Sequence, residues 1–106
     1  MRPVRVTVTN AASSAVIPLD RYETPFNVGI RCNVTSGTPT YTVQYTFDDV
    51  WADGFSAGSA DWVDHASLSS KTADADSNIA FPVTAVRMTQ TGTGVTTMTI
   101  IQGDGF

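Results

Sequence analysis

Gly54-Phe55-Ser56-Ala57-Gly58 reads as G-x-S-x-G, the spacing in which hydrolases set a nucleophilic serine on a sharp turn. The chemistry would be acyl transfer, with the serine hydroxyl attacking a carbonyl while an imidazole takes its proton. His65 is the sole histidine and so the one candidate base. The context argues against that reading. In such enzymes the serine turn joins a strand to a helix above a parallel sheet, and no helix-forming run follows Gly58. A glycine- and serine-rich loop accounts for the five residues equally well.

Asp74-Ala75-Asp76-Ser77-Asn78 opens as a calcium loop does, with an oxygen ligand at every second residue. The remainder of that loop needs glycine at 79 and glutamate at 85, where Ile79 and Ala85 stand. Asp48, Asp49, Asp53, Asp61 and Asp64 form a second acidic group. Aspartates in such segments bond nearby backbone N–H groups and shape turns, so turn-forming roles are expected. One histidine and one cysteine are too few soft ligands for a transition metal. No cofactor or metal is expected. Trp51 and Trp62 flank the acids and have three uses open to them: packing over the end of a sandwich, anchoring a protein interface, or stacking on a sugar ring. Cys32 lies on the apolar side of its segment and is expected to be a small buried hydrophobe; no internal disulfide can form.

Charge narrows the partners. Ten acidic and six basic residues give a net charge of -4, and the basic residues are scattered. Nucleic-acid binding needs clustered Lys and Arg to displace counterions, so it is not expected, nor is an anionic membrane surface. Met1 to Thr9 lacks the apolar run of a signal peptide, and no stretch nears the ~20 apolar residues of a membrane span. A soluble protein made in the cytosol is expected.

The elements that must position these groups are strands. In Tyr41-Thr42-Val43-Gln44-Tyr45-Thr46-Phe47, Tyr41, Val43, Tyr45 and Phe47 share one side and the polar residues the other. Val4 to Thr9 alternates likewise, with Val4, Val6 and Val8 inward. A short strand is predicted at Ala15 to Ile17. Hairpins are predicted for Phe26–Val34 with Thr40–Phe47, and for Thr84–Gln90 with Val95–Gln102 across a Gly-Thr-Gly turn. Thr72 to Asn78 reads as loop. The long segment from Asp48 to Ser70 is a candidate functional loop with a short element near Trp62 to His65. The fold class is therefore all-β, an antiparallel β-sandwich or small jelly roll of about six to eight strands. Residues 1–106 form one domain. Residues 1–10 are read as an extended arm or partner-pairing strand, with Val4 to Thr9 joining a neighbouring chain in place of its own sheet.

Four blocks carry a resemblance. Leu19-Asp20-Arg21-Tyr22 with Thr24-Pro25-Phe26-Asn27-Val28 resembles a block found in small virion proteins of tailed bacteriophages. Tyr41 to Asp49, Ala80 to Arg87, and Thr99-Ile100-Ile101-Gln102 follow in the same order, while Met1 to Val8 falls outside the match. The resemblance implies a non-enzymatic β-sandwich of the virion that cements or decorates the capsid as a small homo-oligomer, a trimer among the options. Its partners would be the major capsid protein or other virion proteins. It brings no catalytic motif. A neck or tail subunit, or a module binding a host-surface glycan or receptor, is the alternative. Val4, Val6, Val8, Arg21, Tyr22, Trp51, Phe55 and Trp62 are the interface candidates on this reading.

Overall fold

Alternating burial defines the longest strands. In β4 (Val28–Gly37), Val28, Ile30 and Cys32 are buried while Gly29 and Arg31 face out. In β9 (Gly94–Gln102), Thr96, Met98, Ile100 and Gln102 are buried. The computed structural model describes residues 3–20, 22 and 26–102. Its remaining strands are β1 (Val4–Thr9), β2 (Ala12–Ser13), β3 (Ile17–Pro18), β5 (Thr40–Thr46), β6 (Trp62–Asp64), β7 (Ala75–Ile79) and β8 (Ala85–Thr91). A single 3-10 turn over Ala66–Leu68 puts Leu68 in the core.

Two antiparallel sheets face each other. One runs β1-β9-β4-β7; the other runs β2-β8-β5-β6, with β3 also on β8. Ser13 pairs Thr89 and Ile17 pairs Val86, so four steps of one strand oppose three of the other. β2 and β3 are thus two halves of one strand broken by a bulge. Ser14 fills the break: its N–H donates to the Met88 carbonyl at 2.7 Å and its hydroxyl accepts from Met88 N–H at 2.9 Å. Counted so, the order is that of an eight-stranded jelly roll. The core between the sheets is made by Val28, Ile30, Met98 and Ile100 from one side and Tyr41, Val43, Val86 and Met88 from the other. Burying each large side chain contributes on the order of 1.5–3 kcal/mol, which the ordering of the chain largely offsets.

Three expectations are corrected. Neither predicted hairpin forms, because β4 and β8 each hand over to a strand of the opposite sheet. The turns at 37–39 and 92–93 are arches across the sandwich, and they bond each other through Thr38 N–H to the Thr93 carbonyl at 3.1 Å. Second, Ala75 to Asn78, read as loop, belong to strand β7, which supplies β4 with its outer neighbour from Val28↔Ile79 to Cys32↔Ala75. Third, β1, read as standing apart from its own sheet, pairs with β9 of its own chain from Val4↔Ile100 to Thr9↔Val95. Val8 is buried, Val4 and Val6 pack on the core, and Asn10 clamps the end of the strand. The Asn10 side chain accepts from Gly94 N–H at 3.1 Å, while Gln90 donates to the Asn10 carbonyl at 2.9 Å.

The topology sorts the loops. Residues 10–11, 37–39, 69–74 and 92–93 lie at the arch end. Residues 19–20, 22, 26–27, 47–61 and 80–84 lie at the other end, beside the start of β1 and the finish of β9.

Candidate functional site

The serine motif does not assemble a nucleophile and base. Ser56 sits in a string of tight turns, and its carbonyl accepts from Ser59 and Ala60 N–H. His65 is buried, and both ring nitrogens are committed to backbone. Nδ1 accepts from Ser67 N–H at 3.2 Å, which leaves Nε2 to carry the proton and donate to the Asn78 carbonyl at 2.9 Å. The ring thus ties the 3-10 turn to β7 across the side of the sandwich.

The acids are turn and bulge formers. Asp74 accepts from Val34 N–H at 2.8 Å and from the Asn33 amide at 3.3 Å, supporting the bulge at Thr35 in β4. Arg31 lies 3.7 Å from Asp74 and 3.6 Å from Asp76, exposed ion pairs of small net value. Asp48 accepts from Asp61 N–H at 2.8 Å, closing the base of the long loop. Among the described residues no three acidic, histidine or cysteine side chains converge as metal ligands would. Burial pushes the Cys32 thiol up to about 12. It does the same to the neighbouring Tyr41 hydroxyl, also to about 12, which donates to the Ala73 carbonyl at 2.7 Å. Both are core groups held in their neutral forms.

Trp62 is half-buried and structural. Its indole N–H donates to the Ala57 carbonyl at 2.9 Å, and the Arg87 guanidinium lies over its ring at 4.4 Å. Arg87 also donates to Gln44 at 2.9 Å, and Gln44 donates to Asp64 at 2.7 Å. Burial lowers the Arg87 pKa from its ordinary value. This panel covers the outer face of β5, β6 and β8 and pins the 47–61 loop to it. Phe55, half-buried, belongs to that loop.

The opposite pattern holds at the end away from the arches. Every large apolar side chain that is exposed among the described residues lies toward that end, in three places: Phe47, Phe81 and Val63 about Tyr45, Tyr22 and Trp51 about one hollow, and Ile101 on the outer face of β9. Phe47, 60% exposed, and Phe81, 44% exposed, stack with ring centroids 6.3 Å apart. Tyr45 meets both edge-on, at 5.8 Å from Phe47 and 5.4 Å from Phe81. Phe47 has the inward parity of Tyr41 and Val43, but it lies one residue past the end of β5. Among the described residues, the strands of the facing sheet leave it 60% exposed. Thr84 holds the corner, its hydroxyl donating to the carbonyls of Thr46 and Asp48 and its carbonyl accepting from Leu19 N–H at 2.9 Å.

Tyr22 and Trp51 line an open hollow of about 390 Å³ with Pro18, Leu19 and Asp20. A second shallow hollow of about 450 Å³ lies on the outer face of β4, where Gly29 leaves a gap between Ile101 and Asn78. Of the interface candidates from sequence, Tyr22 and Trp51 come together at the exposed end. Trp62 and Phe55 are spent on the loop, Val4, Val6 and Val8 face the core, and Arg21 lies outside the described residues. Phe47, Phe81 and Val63 were not among the candidates. Their signal was present in the sequence as apolar residues at predicted strand ends, where parity gives the face but not whether anything lies opposite. Comparison with protein-family models, curated proteins and solved structures finds no match.

Proposed function

We propose that this chain is a structural subunit of a tailed-phage particle, a capsid cement or decoration protein that docks on the major capsid protein through its aromatic end. The observation that carries the reading is the segregation of exposed apolar side chains to one end of the jelly roll. Scattered single apolar residues are ordinary on a surface, whereas a contiguous group marks an interaction site. Aromatic residues are the side chains most enriched at the centres of protein interfaces. The four sequence blocks that resemble phage virion proteins support the same role. So does the construction of the fold: its polar networks stabilise loops and bulges, and the serine and acidic motifs are absorbed into backbone bonding. A cement subunit binds many identical sites, so modest contacts multiply once it is oligomeric.

The test is occupancy. Particles assembled with and without the protein would be imaged by electron microscopy and compared for added density and heat resistance. Phe47→Asp with Phe81→Asp is expected to abolish attachment, since it places charge in the centre of the apolar patch. The variant should keep the wild-type circular dichroism spectrum and lose only about 1–3 kcal/mol of stability with the ring contacts to Tyr45, because both side chains lie at the surface. Full occupancy by that variant would reject docking through this end. Absence of the protein from purified virions would reject the structural role itself.

A further inference from the structure

We propose that Tyr22, Trp51 and Asp20 form a saccharide-binding subsite that takes an uncharged hexopyranose. The inference stands on geometry separate from the Phe47–Phe81 cluster and does not rest on attachment to a capsid.

Tyr22 is 80% exposed and Trp51 68%, the two largest exposures of any bulky apolar side chain described. They come from different loops, yet both line the hollow at the end of β3. Neither is loosely held. Tyr22 N–H donates to its own turn's Asp20 carboxylate at 3.1 Å, and Trp51 N–H donates to Asp49 at 3.0 Å, so each aromatic is carried on a side-chain-closed turn. The Asp20 backbone is itself clamped by the buried Gln102 amide. Asp20 N–H donates to the Gln102 side chain at 2.8 Å, and Gln102 donates back to the Asp20 carbonyl at 2.7 Å. Leu19, next in the chain, is buried. Two platforms fixed in advance lower the ordering cost of binding.

The lining selects the ligand. It offers aromatic faces, aliphatic Pro18 and Leu19, and one carboxylate, with no basic side chain among the described lining residues. An anion would meet Asp20 and a chain of net charge -4. A wholly apolar ligand would bury the carboxylate without a partner, which is costly. A hexopyranose matches both features: its C–H face lies flat on an aromatic ring, and its hydroxyls donate to a carboxylate that has acceptor capacity beyond the Tyr22 bond. A quaternary ammonium would also suit aromatics beside a carboxylate. That cation is best served by rings that surround it, and these rings stand mostly in solvent. The hollow is at the small end for ligand sites and open, so one ring face is covered and affinity is low.

The experiment is a titration of the intact chain followed by ¹H–¹⁵N NMR, with methyl glycosides of glucose, galactose, mannose and N-acetylglucosamine as probes. Choline and sialyllactose serve as the charged comparisons. At least one neutral glycoside should shift the Trp51 indole N–H with a Kd on the order of 1 mM. The Trp62 indole N–H, bonded to Ala57, should stay in place. Trp51→Ala or Tyr22→Ala should weaken binding about tenfold, the usual loss when a stacking platform is removed. Phe47→Ala should leave it unchanged. Silence of the Trp51 signal with every neutral glycoside up to about 50 mM would overturn the proposal. So would a response to choline or sialyllactose alone, or binding that survives both alanine substitutions.

Discussion

Gly94→Ala should be among the most damaging single-methyl changes this chain can suffer. Gly94 begins β9 at the point where the two arches touch, with φ +150°. An added Cβ would fall 2.7 Å from Pro39 Cδ and closer still to the Ser36 carbonyl oxygen. Carbon–carbon contacts are comfortable only at about 3.5–4.0 Å, so one arch must move by nearly an ångström. A backbone conformation reserved for glycine costs about 1–3 kcal/mol when another residue is forced into it, and overpacking against backbone adds about 1–3 more. The expected loss is about 3–5 kcal/mol, a large share of the ~5–15 kcal/mol by which such a domain is stable. Urea unfolding followed by tryptophan fluorescence would show it as a midpoint lowered by about 2 M. Gly37→Ala probes the same contact from the other arch, where its Cβ would lie 2.7 Å from Gly94 Cα and closer to the Thr93 carbonyl oxygen. Once one arch has moved, the second methyl meets less resistance. The double variant should therefore lose at least ~1 kcal/mol less than the sum of the singles. Gly29→Ala is the control, because its Cβ meets only the Ile101 carbonyl at 3.8 Å; it should be neutral or stabilising by about 0.5 kcal/mol. A Gly94→Ala loss below about 1 kcal/mol, or strict additivity with Gly37→Ala, would refute the arch-contact reasoning.

Alkaline pH should destabilise the fold through two groups of the core. Cys32 and Tyr41 ionise near 9.0 and 10.0 when unfolded and only at about 12 when folded, so between those values the unfolded chain holds fewer protons. Their contribution to stability is then flat below about pH 9 and falls above it, by about 1.4 kcal/mol per pH unit for each group ionising; Cys32→Ala should move the onset of this alkaline loss toward pH 10 in the same urea assay. Thr96→Val should raise stability by about 0.5–1.5 kcal/mol, because the Thr96 hydroxyl is buried without a hydrogen-bond partner and valine keeps its shape. A loss on that substitution would reveal a bound water or another partner for the hydroxyl.

How much of this was legible in the residues differs by level. Strand identity was, because a period of two in Tyr41 to Thr46 or Val4 to Thr9 reports a half-buried ribbon whatever lies next to it. Strand pairing was not. Ser36-Gly37-Thr38-Pro39 and Thr91-Gly92-Thr93-Gly94 are good turn sequences, and a turn that folds a ribbon back within one sheet uses the same residues as an arch that carries it to the other. What separates the two outcomes is long-range: β4 is flanked by β9 on one side and β7 on the other, leaving it no edge for β5. β7 was invisible for a related reason. Asp76 and Asn78 face solvent on an edge strand, so only Ala75, Ser77 and Ile79 carry its inward parity, and a polar edge strand reads as a loop.

The site shows the same division. Tyr22 and Trp51 could be singled out because bulky aromatics in polar connectors are unusual. Trp62, alike by composition, sits apart from them, with Arg87 arriving from β8 over its ring. Phe47 was hidden by its own regularity, as the last member of an alternating series whose earlier members are buried. A jelly roll makes this kind of concealment systematic. The sheet changes and turns must be made at two ends, and here one end closes tightly through glycines and backbone bonds. The other carries the longer loops, and the strand series overrun their cover there. Apolar side chains stranded at that end cost solubility in an isolated subunit unless something covers them. The proposed docking therefore falls at that end, and the Phe47–Phe81 stack is where a charge would be felt most.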